Sequence, residues 1–372
     1  MKKIRAVICS VLMVLTSTLF IAISSTQFTF AQEAAYTFAD GTTGLFENTL
    51  LPAIIRRVST THGKCNHEQH DTATGNCLTC GKYVGHTYED GICTCGKTVE
   101  FVRDGLDASF FTPTANSERG SITRYQYTND LIGQDRKRTN GMCVYTPPGY
   151  DPDNRYDVLV LFAGNNSTEE RYLSDSLNVK KVGIVSGVDF WDTLFTSGEV
   201  KPMIIVTVNV SLYSSESNYD QVADDLRNVV LPTVARDYST YAKYTTAKGI
   251  SAARDHFVVA GFSDGSLFAE KTGLFNCYDL FGSYIFVSGI SNYKLIAANV
   301  DRAFEEGCPI KMMYVGIGMY ESFNVQYNST YNNILKNTDN LVDRANTFCV
   351  SIKGEHEHSV FFASMYNALR LR

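Results

Sequence analysis

The chain has 372 residues, of which 44% are hydrophobic and 19% are charged. These proportions are typical of a folded globular protein with one large domain or two ordinary ones, and they exclude a disordered chain. The formal net charge is −6 and no basic stripe stands out, which argues against nucleic acid as a partner.

The first 31 residues have the pattern of an export signal. Lys2, Lys3 and Arg5 form a positive start, and an apolar run follows to about residue 23. A small-residue site ending at Ala31 predicts cleavage after that residue. We therefore expect a secreted or cell-surface protein with a Gram-positive-type signal. A retained anchor is the alternative, because the run is nearly long enough to span a bilayer. No later segment has that length without charges, so no membrane span is expected after cleavage.

Residues 32–61 form a mixed linker, and residues 62–98 form a segment rich in cysteine and histidine. This segment holds five of the ten cysteines and four of the seven histidines. A C-x-H pair followed by C-x-x-C offers four ligands of the kind that tetrahedral zinc binds. In a second, degenerate unit Val84 stands where the first cysteine would be. The candidate zinc ligands are Cys65, His67, Cys77 and Cys80 in the first unit and His86, Cys93 and Cys95 in the second.

This pattern predicts one complete structural zinc site followed by a degenerate one. The segment resembles the short zinc-ribbon-like units of extracellular proteins from Gram-positive bacteria, over fewer than forty residues. Disulfide bonds are the alternative, because export permits them. However, five cysteines cannot all pair within the segment. A catalytic metal is disfavoured, since four protein ligands leave no open position.

From residue 99 to residue 372, apolar strand-like runs alternate with longer amphipathic segments. Residues 219–238, for example, place Val222, Leu226, Val230 and Val234 on one helical face. Strands separated by helical lengths predict an α/β domain with a mainly parallel central sheet and helices on both faces. The predicted strands are Tyr156–Ala163, Met203–Val210, His256–Phe262, Tyr284–Val287, Lys311–Ile317 and Thr347–Ile352.

The pentapeptide Gly261–Gly265 reads G-F-S-D-G and follows the third of these strands directly. A helix-compatible segment, 266–275, comes after it. A G-x-S-x-G pattern between a strand and a helix is typical of a nucleophile elbow, in which the serine lies on a strained turn. The sequence therefore predicts the α/β-hydrolase fold, with Ser263 as its nucleophile.

A serine nucleophile needs a histidine base and an acid that holds the base, and in this fold both follow the serine along the chain. The histidines beyond Ser263 are His356 and His358, just after the last predicted strand. Glu321 is the first carboxylate after the penultimate strand and is the predicted acid. Asp339 and Asp343 lie further on, in a helical pattern, and are better read as solvated charges.

The oxyanion hole needs two backbone N–H groups that point at the developing negative charge. One is expected from Asp264, the residue after the nucleophile. The other is expected from the loop after the first predicted strand, at Gly164 and Asn165. An ordinary strand-to-helix turn is the alternative interpretation of that loop.

Further segments carry a family resemblance. Val144–Asp151 is similar to the Y-x-P-P-G-Y segment of esterase D-like and feruloyl esterase proteins of carbohydrate esterase family 1. Residues 238–242 and 249–254 resemble the stretch before the elbow in clostridial xylanase-associated feruloyl esterase domains. Gly354–His356 matches the family's G-x-H, which favours His356 over His358 as the base.

This resemblance covers residue 100 to the end of the chain. It implies hydrolysis of feruloyl or acetyl esters on plant-type polysaccharide such as arabinoxylan, with no cofactor for catalysis. The esterified polysaccharide or oligosaccharide would be the substrate.

Three residues depart from the family's pattern. Where this chain has Ala163, the family usually has histidine. It usually has a neutral residue in place of Asp264 and aspartate in place of Glu321. If the Asp264 side chain points inward, a carboxylate about 6 Å from the oxyanion would oppose it by roughly 3 kcal/mol at an effective dielectric constant near 20, or about a hundredfold in rate. If it points to solvent, screening removes most of this effect. The alternative function is therefore a catalytically weakened hydrolase-fold protein that binds carbohydrate or protein at the surface.

Overall fold

The computed structural model describes residues 101–372 except 114, 116–117, 133, 165–166, 198–199 and 212–217. It also describes the backbone of four short strands before residue 100. The chain divides into two compact units, residues 1–51 and 52–372. In the first unit, β1 (Ala35–Thr37) pairs antiparallel with β2 (Thr43–Leu45). In the second, β3 (Tyr88–Glu89) pairs antiparallel with β4 (Ile92–Cys93).

The predicted zinc ligands lie outside the described residues, apart from the backbone of Cys93 in β4. The zinc site and the disulfide alternative therefore both remain predictions. In the described part of the chain, the cysteines at 143, 277, 308 and 349 are free thiols.

An eight-stranded sheet organises the second unit. Its strands are β5 (Ser121–Asp130), β6 (Lys137–Thr146), β7 (Asp157–Phe162), β10 (Met203–Val208), β11 (Phe257–Phe262), β12 (Ser283–Val287), β13 (Met312–Gly318) and β14 (Thr347–Ile352). Their spatial order is β14-β13-β12-β11-β7-β10-β6-β5. Six of these strands run parallel, and β5 and β6 form an antiparallel edge. The predicted α/β-hydrolase fold with a mainly parallel sheet is confirmed.

The six predicted strands are the six parallel ones, and each is present within two residues of its expected bounds. All of β7, β10 and β11 is buried, because helices cover both faces of the sheet. A separate antiparallel hairpin, β8 (Leu177–Val179) with β9 (Gly183–Val185), lies in the connection after β7.

Helices pack on both faces of the sheet, and alternate strand residues point to opposite faces. The helices are α1 (Gly187–Thr196), α2 (Asn218–Asp225), α3 (Leu231–Asp237), α4 (Ala247–Ser251), α5 (Asp264–Phe268), α6 (Tyr293–Glu305), α7 (Asn324–Asn337) and α8 (His358–Leu369). Leu159 and Leu161 join a core with α1 and α8, whereas Val158 and Val160 join a core with α2, α3 and α6.

Two helices continue through π-helical turns. Leu226–Val230 joins α2 to α3, and Ala269–Asn276 extends α5. Together these segments account for the helices expected near 219–238 and 266–275. Over the residues that the structure describes, no helix is long and apolar enough to cross a membrane.

A charged cluster joins three segments at the amino-terminal edge of the parallel strands. Asp157, the first residue of β7, accepts a 2.8 Å hydrogen bond from His256 Nδ1 and a 3.1 Å bond from Arg372 Nη2. Tyr241 stacks on His256 with ring centroids 3.5 Å apart, and Lys201 Nζ donates to the Tyr241 hydroxyl over 3.0 Å. Burial would raise the pKa of Asp157, but these partners hold it below its ordinary value.

We expect Asp157→Asn to lower the free energy of unfolding at pH 7 by about 2 kcal/mol, since it removes a charged acceptor from His256 and Arg372. The pKa of Asp157 is lowered in the folded state, so its stabilisation is complete above its ordinary value of 3.8. That stabilisation is lost as the pH falls through the folded pKa. Urea unfolding at pH 7 and at stepwise lower pH measures both effects.

The matched control is Asp153→Asn, because Asp153 is exposed. An equal loss of stability in the two variants at pH 7 would contradict the assigned role of Asp157.

Candidate active site

Ser263 lies on a strained turn between β11, which ends at Phe262, and α5, which begins at Asp264. Its backbone has φ +58° and ψ −126°, a conformation that costs a non-glycine residue energy. The Ser263 N–H donates to the Val287 carbonyl of the neighbouring strand over 2.9 Å. A Cβ at Gly265 would lie 2.2 Å from the Phe162 carbonyl oxygen, so only glycine allows this approach of the helix to the sheet.

His356 lies in the loop after β14 and reaches the serine. Its Nε2 is 2.8 Å from Ser263 Oγ, and its Nδ1 is 3.0 Å from Glu321 Oε2. The Phe262 ring stacks against the imidazole with centroids 4.7 Å apart. Nearly half of the His356 side chain, 48%, is exposed to solvent, so the serine and histidine lie at an open surface.

Glu321 lies in the turn after β13 and is nearly inaccessible, with 3% of its side chain exposed. Its Oε1 accepts hydrogen bonds from the Ser288 hydroxyl over 2.5 Å and from the Gly318 N–H over 2.7 Å. Burial raises the pKa of a carboxyl group, but these two donors and His356 together hold the pKa of Glu321 below its ordinary value. The carboxylate is therefore ionised at neutral pH and fixes the imidazole with Nδ1 protonated.

His358 occupies different surroundings, although it is two residues from His356. Its Nδ1 donates to the Asn178 carbonyl over 3.0 Å, and Arg171 Nη2 lies 3.4 Å from its Nε2. The ring lies edge-on to Tyr172, and burial lowers its pKa. His358 therefore packs against the segment around Tyr172. Of the other acidic candidates, Asp343 accepts a hydrogen bond from the Tyr331 hydroxyl over 2.7 Å, and Asp339 is exposed.

Gly164 lies two residues after the end of β7 and close to Ser263. A Cβ at this position would lie 2.7 Å from the Phe262 carbonyl oxygen and 2.8 Å from Ser263 Cβ. Asn165, the other residue predicted for the oxyanion hole on this loop, lies outside the described residues. The N–H of Asp264 is the first of α5, where helix geometry leaves donors without intrahelical partners.

The Asp264 side chain is exposed. Solvent therefore weakens the opposition that its charge would exert on an oxyanion. Its position in the first turn of α5 is one where a negative charge stabilises the helix.

Sequence reasoning missed Ser288 and Phe262 as parts of this site. Ser288 follows β12 directly and has φ +54°, and its hydroxyl donates to the buried acid. Phe262 provides the surface on which His356 stacks. The one available signal for Ser288 was its position at the carboxyl end of a predicted parallel strand, where the loops of such a sheet meet.

A cavity of about 260 Å³ lies elsewhere, near the antiparallel edge of the sheet. Arg119, Arg124, Cys143 and Leu173 are among its lining residues, whereas Ser263, His356 and Glu321 are not. Arg119 and Arg124 are already paired there with Asp189 and Glu170, each over 2.5 Å. This cavity is therefore separate from the serine site.

The chain is similar to known esterases in sequence and in fold. The Esterase family model, described as "Putative esterase", matches residues 134–340, which is more than half of the chain. Endo-1,4-beta-xylanase Y of Acetivibrio thermocellus is 30% identical over 172 residues, covering 46% of this chain and 14% of the xylanase. The chain thus spans a small part of that relative's length.

Solved structures of similar fold include a serine-to-alanine mutant of the feruloyl esterase module from Clostridium thermocellum, complexed with sinapinate. It has a TM-score of 0.62 and 22% identity, covering 74% of this chain and 96% of that module. The ferulic acid esterase of the anaerobic fungus Anaeromyces mucronatus has a TM-score of 0.52 and 18% identity, covering 72% of this chain and 96% of the fungal chain. These likenesses establish the shared fold.

We expect Gly164→Ala to slow the labelling of Ser263 by a fluorophosphonate about tenfold and to destabilise the protein by about 1–3 kcal/mol. The added methyl group meets the Phe262 carbonyl oxygen and Ser263 Cβ, so the loop or the serine must shift. Labelling kinetics and thermal unfolding measure the two effects.

Gly149→Ala is the control, because a Cβ there meets no atom within 4 Å and tests only the backbone cost of φ +67°. Labelling of Gly164→Ala at the unsubstituted rate would show that this glycine does not shape the serine site.

Proposed function

The chain belongs to the esterase family, and we propose that it is an exported serine esterase acting through Ser263, His356 and Glu321. Family membership makes it a carboxylic ester hydrolase. The proposed substrates are feruloyl or acetyl substituents of plant-type polysaccharide, and residues 99–372 form the proposed esterase domain. The observation that carries the proposal is the continuous hydrogen-bonded line from Ser263 Oγ through His356 to the buried Glu321.

In the first step, His356 Nε2 takes the proton of Ser263 as the hydroxyl oxygen attacks the ester carbonyl carbon. The 2.8 Å separation is within hydrogen-bond reach, so the transfer needs no large movement. The ionised Glu321 stabilises the imidazolium that forms and keeps its orientation. Ser288 and the Gly318 N–H hold that carboxylate in place throughout.

The tetrahedral intermediate carries its negative charge on the former carbonyl oxygen. The N–H of Asp264 and the N–H groups at Gly164 and Asn165 are the proposed donors to that oxygen. His356 then returns its proton to the departing alcohol oxygen, which leaves an acyl ester on Ser263. Water, activated by the same histidine, hydrolyses this ester and restores the enzyme.

The substrate class rests on relatives rather than on contacts within this chain. The matching relative is a xylanase, and a solved module of similar fold is a feruloyl esterase. A polysaccharide outside the cell would require export, for which residues 1–31 supply the proposed signal. The competing function is surface binding of carbohydrate or protein with weakened catalysis. It is motivated by the departures from the family's pattern at Ala163, Asp264 and Glu321.

We expect His356→Ala to reduce kcat/KM on methyl ferulate or 4-nitrophenyl acetate by about 10⁴-fold, because it removes the base and leaves the serine unactivated. His358→Ala is the matched control and is expected to change the same constant by less than about tenfold, or about 1.4 kcal/mol. Ser263→Ala sets the background rate.

Equal losses in the two histidine variants would contradict the assignment of His356 as the base. A wild-type protein no faster than Ser263→Ala would refute the esterase proposal. If that inactive protein still retained polysaccharide, the surface-binding alternative would be supported.

Residues 62–98 carry a second part of the proposal, a structural zinc ion held by Cys65, His67, Cys77 and Cys80, with His86, Cys93 and Cys95 as a degenerate unit. These ligand types and their spacing support zinc over disulfides. The metal has no proposed part in ester hydrolysis.

We expect about one zinc ion per chain by elemental analysis of protein purified without chelator, and its loss in Cys77→Ser, because a tetrahedral site needs all four ligands. Cys349→Ser is the control, since Cys349 is a half-buried free thiol in the esterase domain. Absence of metal, with the segment's cysteines unreactive toward a thiol reagent until reduction, would establish disulfides instead.

A further inference from the structure

Three large apolar side chains are exposed around the proposed acid. Met319 is 45% exposed, Tyr320 is 58% exposed and Phe323 is 56% exposed. We call these three residues the platform. All of them lie in the turn between β13 and α7 that also carries Glu321. Exposed apolar side chains that cluster beside a reactive site indicate a surface that a partner covers.

Backbone hydrogen bonds hold the platform beside the histidine loop. The Met319 N–H donates to the Ile352 carbonyl over 2.7 Å, and the Tyr320 N–H donates to the Gly354 carbonyl over 2.9 Å. Gly354 is two residues before His356. The platform therefore borders the side of the site where the histidine lies.

The aromatic surface continues onto α7 through Tyr327. The rings of Phe323 and Tyr327 have centroids 6.0 Å apart. Tyr327 lies in the first turn of α7 and is half-buried. The platform is thus the exposed end of an aromatic surface that continues onto this helix.

The reaction chemistry assigns the two halves of an ester to different sides of this site. His356 must protonate the oxygen of the departing alcohol, so the alcohol lies on the histidine side. The carbonyl oxygen lies on the opposite side, toward Gly164 and the first N–H of α5. The platform borders the histidine side and is therefore next to the alcohol half of the substrate.

From this placement we propose that Met319, Tyr320 and Phe323 bind the sugar ring that carries the ester. This inference rests on the proposed esterase function and adds a specificity-determining surface to it. The platform side chains are uncharged and present apolar and aromatic faces, which suit the C–H face of a neutral sugar and offer no charge to an ionic group. Binding energy from this remote part of the substrate would favour polysaccharide esters over simple ones.

The test compares two esters of one acid, methyl ferulate and a feruloylated arabinoxylan oligosaccharide. The measured quantity is the ratio of kcat/KM for the sugar ester to kcat/KM for the methyl ester. We expect Tyr320→Ala and Phe323→Ala each to lower this ratio about tenfold, because each removes a stacking ring. Tyr320→Phe keeps the ring and is expected to keep the ratio.

Tyr244→Ala is the matched control, because Tyr244 is 60% exposed and lies in the segment before α4. Its ratio should equal that of the wild type. Unchanged ratios in both platform variants, or equal changes in Tyr244→Ala, would overturn the inference while leaving the esterase proposal intact.

A second measurement separates this inference from the esterase proposal. Calorimetry measures the binding of unesterified arabinoxylan oligosaccharide to Ser263→Ala, and this binding requires no turnover. Adding Tyr320→Ala to that variant should weaken binding about tenfold. If the wild type hydrolysed no ester, weaker binding in the double variant would still support the platform. Equal binding, or no binding to either protein, would refute it.

Discussion

The close backbone approach at Gly265 is the contact on which the rest of the site depends. With no side chain, this residue lets the start of α5 lie directly against the end of β7 at Phe162. That contact, together with the bond from the Ser263 N–H to Val287, holds the serine at φ +58°. The strained conformation places Oγ above the sheet edge, where loops from neighbouring strands can reach it. Gly164, two residues after the end of β7, also lies close to Ser263, so the loop after β7 borders the serine directly.

Burial and hydrogen bonding have opposite effects on the pKa of Glu321. Burial alone would favour a protonated Glu321, which could not stabilise an imidazolium. Ser288, Gly318 and His356 each donate a hydrogen bond to its carboxylate, and the pKa falls below its ordinary value instead. Although glutamate has a longer side chain than aspartate, these hydrogen bonds hold its carboxylate in one position. Its substitution for the family's aspartate leaves the hydrogen-bonded line to the serine intact.

The amino-acid sequence predicts the six parallel strands of this sheet well because those strands are continuous apolar runs between helical patterns. It does not predict β5, which is mostly exposed and lacks such a run, nor β6, whose apolar run is limited to Met142–Tyr145. Ser263, Glu321 and the histidine loop follow from chain order, since each comes after a parallel strand. The hydrogen bond from Ser288 to Glu321 does not follow from chain order, because a serine at a strand end has no distinctive pattern until its tertiary neighbour is known. The solvent exposure of Asp264 likewise depends on how α5 begins, and the spacing of residues in the sequence carries no information about it.

His356 and His358 have different surroundings, and this difference bears on how the proposed substrate would bind. His358 begins α8 and faces Tyr172, whereas His356 precedes the helix and remains half exposed over Phe262. Because His356 is half exposed, the described residues around it leave the proposed alcohol side of the site open to solvent. An alcohol carried on a polymer would then be bound by a surface rather than enclosed. The turn that carries Glu321 also presents Tyr320 and Phe323 to solvent, so one short segment both contacts His356 and offers that surface. Positioning of the acid and recognition of the sugar would accordingly be coupled through the backbone of a single turn.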